Sequence, residues 1–159
     1  MTAEMYEQIG DSFNQNYNCC QAVLRYASGL LGFDEDTALK LAATFGGGMG
    51  HGDTCGCVTA GLMALGLAYG NPKCEEDKKL LAEFKAEFES RFRNKNGSLK
   101  CRDLLGLDFD KPEEKAQILE SGVLKSKCPQ LACDAGFILD RLLLQKPQAM
   151  GVGCSCGNH

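Results

Sequence analysis

The sequence predicts an all-α fold: a single-domain bundle of about six to eight helices over residues 1–146, followed by a flexible Gly/Cys-rich tail over 147–159. Three observations carry this. Apolar residues recur at helical spacing almost from end to end, and no stretch alternates convincingly as a strand would. The apolar runs are separated by helix caps and stops, among them Asn18, Gly32, Gly97 and Pro112. Neither an internal repeat nor a domain linker interrupts them.

Residues 2–15 place Met5, Ile9 and Phe13 on one stripe. A second helix, from Cys19 to Leu31, carries Ala22, Val23, Tyr26, Ala27 and Leu30 on its apolar face and stops at Gly32. Asp34, Glu35 and Asp36 open a third, through Leu39, Leu41, Ala42 and Phe45, with the acidic charge suited to a helix N-terminus. The loop 46–52, GGGMGHG, has five glycines in seven residues. The fourth helix, 55–69, has Gly56, Ala60, Ala64 and Ala68 at intervals of four, a small-residue face expected to let a neighbour approach and to make this the central helix. The fifth and longest, 73–95, is charged outside and apolar along Leu80, Leu81, Phe84, Phe88 and Phe92. Short helices are expected at 99–105 and 112–120. A final one, 129–145, is expected to start at Cys128-Pro129 and to bury Leu131, Ala135, Ile138, Leu139 and Leu142.

Composition narrows the function. The net charge of −4, with no basic stripe, argues against a nucleic-acid partner. The most apolar segment, Cys55 to Tyr69, is interrupted by glycines and shorter than the roughly 20 residues a bilayer span requires, so no membrane association is expected. The N-terminus shows neither the basic nor the apolar region of a signal peptide, which makes a cytoplasmic location the expectation. There, ten cysteines read more naturally as metal ligands or catalytic thiols than as structural disulfides, and they would suit an anaerobe.

Cysteine placement is more telling than number. Cys19 and Cys20 follow Asn18, Cys55 follows Thr54, Cys74 follows Asn71-Pro72, and Cys101 follows Ser98, each reading as the start of a helix. Helix N-termini carry unpaired N–H groups and partial positive charge, which favour thiolate over thiol. Within the segment Gly46 to Gly70, glycines such as Gly47, Gly48 and Gly56 would let backbone amides close around a bound group, with Thr54 capping the helix. Cys55 and Cys57 would lie about 200° apart on a regular helix and could not easily face one point, leaving either as the central ligand. His51 reads equally as a ligand or proton donor near Cys55 and as a surface residue. Cys133 reads as core. In the tail, Cys154 and Cys156 form an exposed Cys-Ser-Cys that, with His159, suggests a soft-metal site, a mobile arm or a strained disulfide.

The stretches Asn18-Cys19-Cys20-Gln21-Ala22-Val23-Leu24, Gly52-Asp53-Thr54-Cys55-Gly56, Met63-Ala64-Leu65-Gly66-Leu67, Cys101-Arg102-Asp103-Leu104-Leu105-Gly106 and Cys128-Pro129 resemble the redox-active family named for its C…GCAxxG…C…C pattern. The resemblance covers roughly residues 12–140. The central motif fits in two registers, one through Cys57 and one through Cys55. The family implies a helical redox-active cysteine protein, related to the protein portion of split-Soret cytochromes. No haem is expected, because no Cys-x-x-Cys-His motif occurs. The resemblance maps the family cysteines onto Cys20, with Cys19 as competitor, Cys55, Cys101 and Cys128.

A set of thiolates without matching histidines suits an iron–sulfur cluster or tetrahedral zinc. The expected function is therefore a cysteine-based redox protein holding an iron–sulfur cluster for electron transfer or sulfur and metal metabolism. Cys19, Cys57, Cys74, Cys154 and Cys156 are reserve ligands. The alternatives are a metal-free thiol–disulfide oxidoreductase and a zinc or copper carrier using Cys154 and Cys156. A redox partner protein is implied without being identified, a homodimer is left open, and no acid–base pair names an enzyme.

Overall fold

A computed structural model describes residues 3–145. The expectations for Cys154, Cys156 and His159 lie outside the described residues. Eight α-helices are found there, and no strand: α1 (Ala3–Asn14), α2 (Cys19–Leu31), α3 (Glu35–Leu41), α4 (Gly56–Tyr69), α5 (Glu75–Asn96), α6 (Cys101–Leu105), α7 (Pro112–Glu120) and α8 (Val123–Leu144). The all-α expectation holds. None of these helices is long and apolar enough to cross a membrane.

At the centre α2 packs on α4, and α8 packs against both. Helix α5 covers another side of α4, α1 lies on α2 and α8, and α3 lies on α2. Small side chains permit these approaches. A Cβ at Gly61 would sit 2.2 Å from Phe88 Cζ, and one at Gly136 would sit 2.9 Å from Met5 Sδ. Met5 and Ile9 of α1, Phe88 and Phe92 of α5, and Leu139 and Leu142 of α8 are fully buried in the shared core. At about 25 cal/mol per Å² of apolar surface, such burial is the main force holding the bundle together. The polar groups inside are satisfied: Tyr26 Oη donates to Asp140 Oδ1 at 2.7 Å and Tyr69 Oη to the Leu142 carbonyl at 2.9 Å. Asp134, buried on α8, pairs with Lys95 of α5 at 2.8 Å.

Four local expectations are corrected. Helix α3 stops at Leu41, short of Phe45; Leu41 then points outward at 60% exposure, and Ala38 takes the buried place. On α2, Leu30 lies past the buried stripe and is 47% exposed. Helix α8 begins at Val123 after a left-handed Gly122 (φ 74°), so Pro129 sits inside it and Cys128 is not a helix-starting residue. An interior proline gives up its own N–H and crowds the carbonyl four residues back, a cost of about 3 kcal/mol that the packing of α8 offsets. Finally, Thr54 does not cap α4: that position belongs to Cys55, and Thr54 forms a one-pair antiparallel bridge with Lys100.

Candidate thiol centre

Cys19 is the first residue of α2. Asn18 and Gln21 make a reciprocal capping box, each side chain accepting the other's backbone N–H at 3.0 Å. Asn18 Nδ2 also donates to the carbonyls of Ala42 and Ala43, and Gln21 Nε2 to that of Leu39. The start of α2 is thereby clamped to the end of α3, where the glycine loop begins.

That loop runs left-handed. Gly47, Gly48, Met49, Gly50 and Gly52 have φ of 62°, 60°, 60°, 74° and 68°. Left-handed backbone costs an L-residue roughly 1–2 kcal/mol, a penalty glycine avoids and only Met49 bears. The outcome is a tight turn, closed by Asp53 N–H on the Gly48 carbonyl at 3.2 Å, that directs the Gly47 N–H at Cys19 Sγ. Arg102 fastens the turn from outside, donating to the Gly52 and His51 carbonyls and pairing with Asp108 at 3.1 Å.

The bridge between Thr54 and Lys100 sets the rest. Cys55 N–H donates to the Leu99 carbonyl (2.8 Å) and Cys101 N–H to the Asp53 carbonyl (2.7 Å). Cys55, at φ −56° and ψ 135°, is extended, and α4 begins only at Gly56. The regular-helix argument that kept Cys55 and Cys57 apart therefore fails, because one of the two residues lies outside the helix. The sulfurs of Cys19, Cys55 and Cys57 lie within 4.8 Å of one another. Gly56 makes this possible, since a Cβ there would stand 2.7 Å from Cys19 Sγ; its N–H is a second backbone donor to that sulfur.

The three thiols behave as one electrostatic unit. Hydrogen bonds from the Cys55 and Cys57 thiols, helped by the Gly47 and Gly56 amides, hold Cys19 well below the ordinary thiol range despite its burial. Cys55 and Cys57 are held well above it, because their protons bind the Cys19 sulfur and because both are buried. Of the three, Cys19 gives up its proton most readily, with the Cys55 and Cys57 thiols donating to its sulfur.

A half-open cavity of about 340 Å³ adjoins this cluster. Cys19 and Cys55 form part of its wall, and so do Cys101 and Cys128, which α6 and α8 bring from distant parts of the chain. Burial pushes both of these thiols up to about 12. Cys57 is fully buried behind them. The remaining wall is largely apolar, with Phe13, Tyr17, Phe109 and Leu131 prominent, and includes Gly46 and Gly47.

The other predicted residues stand elsewhere. Cys20 is fully buried and does not line the cavity; burial, then the Cys19 charge, raises it to about 12. Cys74 caps α5 beyond the far end of α4 and donates to Glu76 Oε2 at 3.4 Å. Cys133 is buried in α8. Gly48 faces the Asp53 backbone, with 2.4 Å available to a Cβ. His51 is exposed, its Nδ1 2.9 Å from Asp110 Oδ1, and takes no part in the thiol cluster. Sequence reasoning missed Arg102 as the strap of the glycine loop, and the aromatic wall of Phe13, Tyr17 and Phe109, because only tertiary contacts assemble them.

Fold and site together define a helical protein with a multi-thiol centre. The family model described as "Putative redox-active protein (C_GCAxxG_C_C)" matches residues 17–142, most of the chain, and the protein belongs to that family. No curated protein and no solved structure matches it.

Proposed function

We propose that this is a redox protein in which Cys19, Cys55 and Cys57, with Cys101 and Cys128 across the cavity, hold an iron–sulfur cluster. The observation that carries the reading is the convergence of three sulfurs within 4.8 Å beside a cavity walled by two further cysteines. The donor chemistry fits: every ligating side chain in this group is a thiol, and among the described residues neither histidine nor carboxylate lines the cavity. Cys101 and Cys128 fall outside the tight group of three, which suits a body larger than one tetrahedral ion. A cluster held here would supply electron exchange for electron transfer or for sulfur and metal metabolism.

The chain's own contribution is to bind and tune. Amides of Gly47 and Gly56 stabilise negative charge on Cys19 sulfur, and Cys57 N–H does the same at Cys55. The apolar wall limits water near the thiolates. Gly56 keeps the space that Cys19 Sγ occupies. The test is anaerobic purification with a visible spectrum and iron, acid-labile sulfide, zinc and copper counts on the same sample. Matched iron and sulfide in a brown protein is the expected result. Stoichiometric zinc or copper instead would overturn it in favour of a structural or carrier site.

One observation favours a second reading. Three sulfurs within 4.8 Å of one another, with Cys19 the most acidic, are also the arrangement of a disulfide-exchanging site, in which a Cys19 thiolate attacks and a neighbour resolves the mixed disulfide. Colourless, metal-free protein that forms one disulfide among these three cysteines would select it.

A further inference from the structure

The cavity is walled by more than its cysteines, and the chemistry of its walls is uneven. Rings and aliphatic side chains dominate: Phe13, Tyr17 and Phe109 with Leu104, Leu124 and Leu131. Among the described lining residues Lys125 is the only cationic side chain, in a chain whose net charge is −4. Lys125, Phe13 and Asn16 also line a second depression next door, which places them on the ridge between the two, at the rim of the cavity. No salt bridge among the described residues takes up Lys125. By contrast, Lys127, two residues further along α8, is held by the Leu104 and Leu105 carbonyls. The Asn18 amide is likewise fully engaged in capping and in the Ala42 and Ala43 contacts. Lys125 is therefore the cation left at the rim, with Asn16 beside it.

From this we infer that the cavity binds a small organic ligand with an apolar, single-ring body and one anionic group, the body lying among Phe13, Tyr17 and Phe109 and the anion at Lys125. A volume of about 340 Å³ suits one ring; pockets for drug-sized ligands begin near this size, roughly 300 Å³, and combine apolar walls with a few polar groups that fix orientation. Such a ligand would lie with its apolar end toward Cys19, Cys55, Cys101 and Cys128. The inference rests on this cavity being the working site, but not on which metal, if any, the thiols hold.

Phenylacetate is the probe, with benzyl alcohol as its neutral counterpart. Saturation-transfer NMR on the full-length reduced chain reads binding through the ligand's own signals, so it needs no activity and no particular metal content. Phenylacetate is expected to show transfer to its ring and benzyl alcohol much less. Lys125→Gln is expected to weaken phenylacetate binding about tenfold, the effect of losing one charge-assisted contact. Lys125→Arg should restore most of the binding, and Lys115→Gln, on α7, should leave it unchanged. Lys125 is exposed, so circular dichroism should show all three variants folded. No transfer to phenylacetate, equal transfer to benzyl alcohol, or equal weakening by the Lys115 variant would each overturn the assignment. Metal-free protein that binds phenylacetate through Lys125 would reject the cluster and leave the ligand site standing.

Discussion

The two ends of α4 use the same kind of residue for opposite purposes. At its start, Gly56 leaves room for Cys19 Sγ, which would meet a Cβ at 2.7 Å, and the N–H groups there point at sulfur. Further along, Gly61 leaves room for the ring of Phe88, and Tyr69 stacks on Phe84 at 4.5 Å while its hydroxyl binds the Leu142 carbonyl. One end admits a polarisable, charge-bearing atom and supplies donors for it; the other admits rings and satisfies every polar group internally. Small residues in a helix thus announce close approach, and the donors around them decide whether the approach is chemistry or packing.

The comparison can be broken most severely with the cysteines at either end. Cys57→Ser or Cys19→Ser should abolish iron and sulfide loading, whereas Cys74→Ser, beyond the far end of α4, should load like the parent protein. Elemental analysis of the three side by side checks this, and equal loading in all would dissolve the distinction. The glycines give the next effect. Gly61→Ala should cost about 3 kcal/mol, because the fully buried Phe88 ring has nowhere to move. Gly56→Ala should cost about 1–3 kcal/mol and also displace Cys19. Urea melts read the stabilities, and iodoacetamide labelling at neutral pH should drop at Cys19 in the Gly56 variant alone.

Alkaline pH sharpens the contrast between the two classes of thiol. Burial raises Cys20, Cys101 and Cys128 to about 12, so the folded metal-free chain keeps protons that the unfolded chain releases near the ordinary thiol value. Above that value the unfolded state binds fewer protons, and stability falls as pH rises, by about 1.4 kcal/mol per pH unit for each such thiol until the folded value is reached. Cys19 has the opposite sign: its depressed value adds stability above the ordinary thiol value, lost as pH falls through the folded one. Above the ordinary thiol value Cys19 is ionised in both states and adds no slope, while the raised Cys55 and Cys57 add to the loss, so denaturant melts should show a steep net loss from about pH 9 upward. A flat profile would mean that the buried thiols are already ionised or bound. The smallest effect concerns the cap: Asn18→Ala should cost about 1 kcal/mol, read by thermal melts, and should slow Cys19 labelling as the start of α2 frays.

Much of the fold could be read from local signals, because those signals are local in physical origin. The stripe of Met5 and Ile9, the Asn18 cap, the left-handed stops at Gly32 and Gly97, and the Phe84, Phe88 and Phe92 row each depend on residues within a turn or two. Pro129 misled because proline is favoured at a helix start, and only packing of the preceding turns against α6, with Lys127 on the Leu104 and Leu105 carbonyls, shows the helix beginning earlier. The site was half legible. Which types of residue build it was clear from the cysteines and glycines, but Cys19 and Cys20 lie on faces of α2 that are both buried, so no periodicity separates them. The meeting of Cys55 with Cys57 follows from an extended residue at the helix boundary, and that of Cys55 with Cys101 from the Thr54–Lys100 bridge. Neither leaves a mark in the spacing of the sequence.

The most direct measurement is iron K-edge X-ray absorption on the anaerobically purified protein. A cluster held by the Cys19, Cys55 and Cys57 thiols should give a first shell of sulfur alone, with an iron–iron distance beyond it, and both should disappear in Cys57→Ser. A first shell of oxygen or nitrogen, or a parent protein without iron, would contradict it.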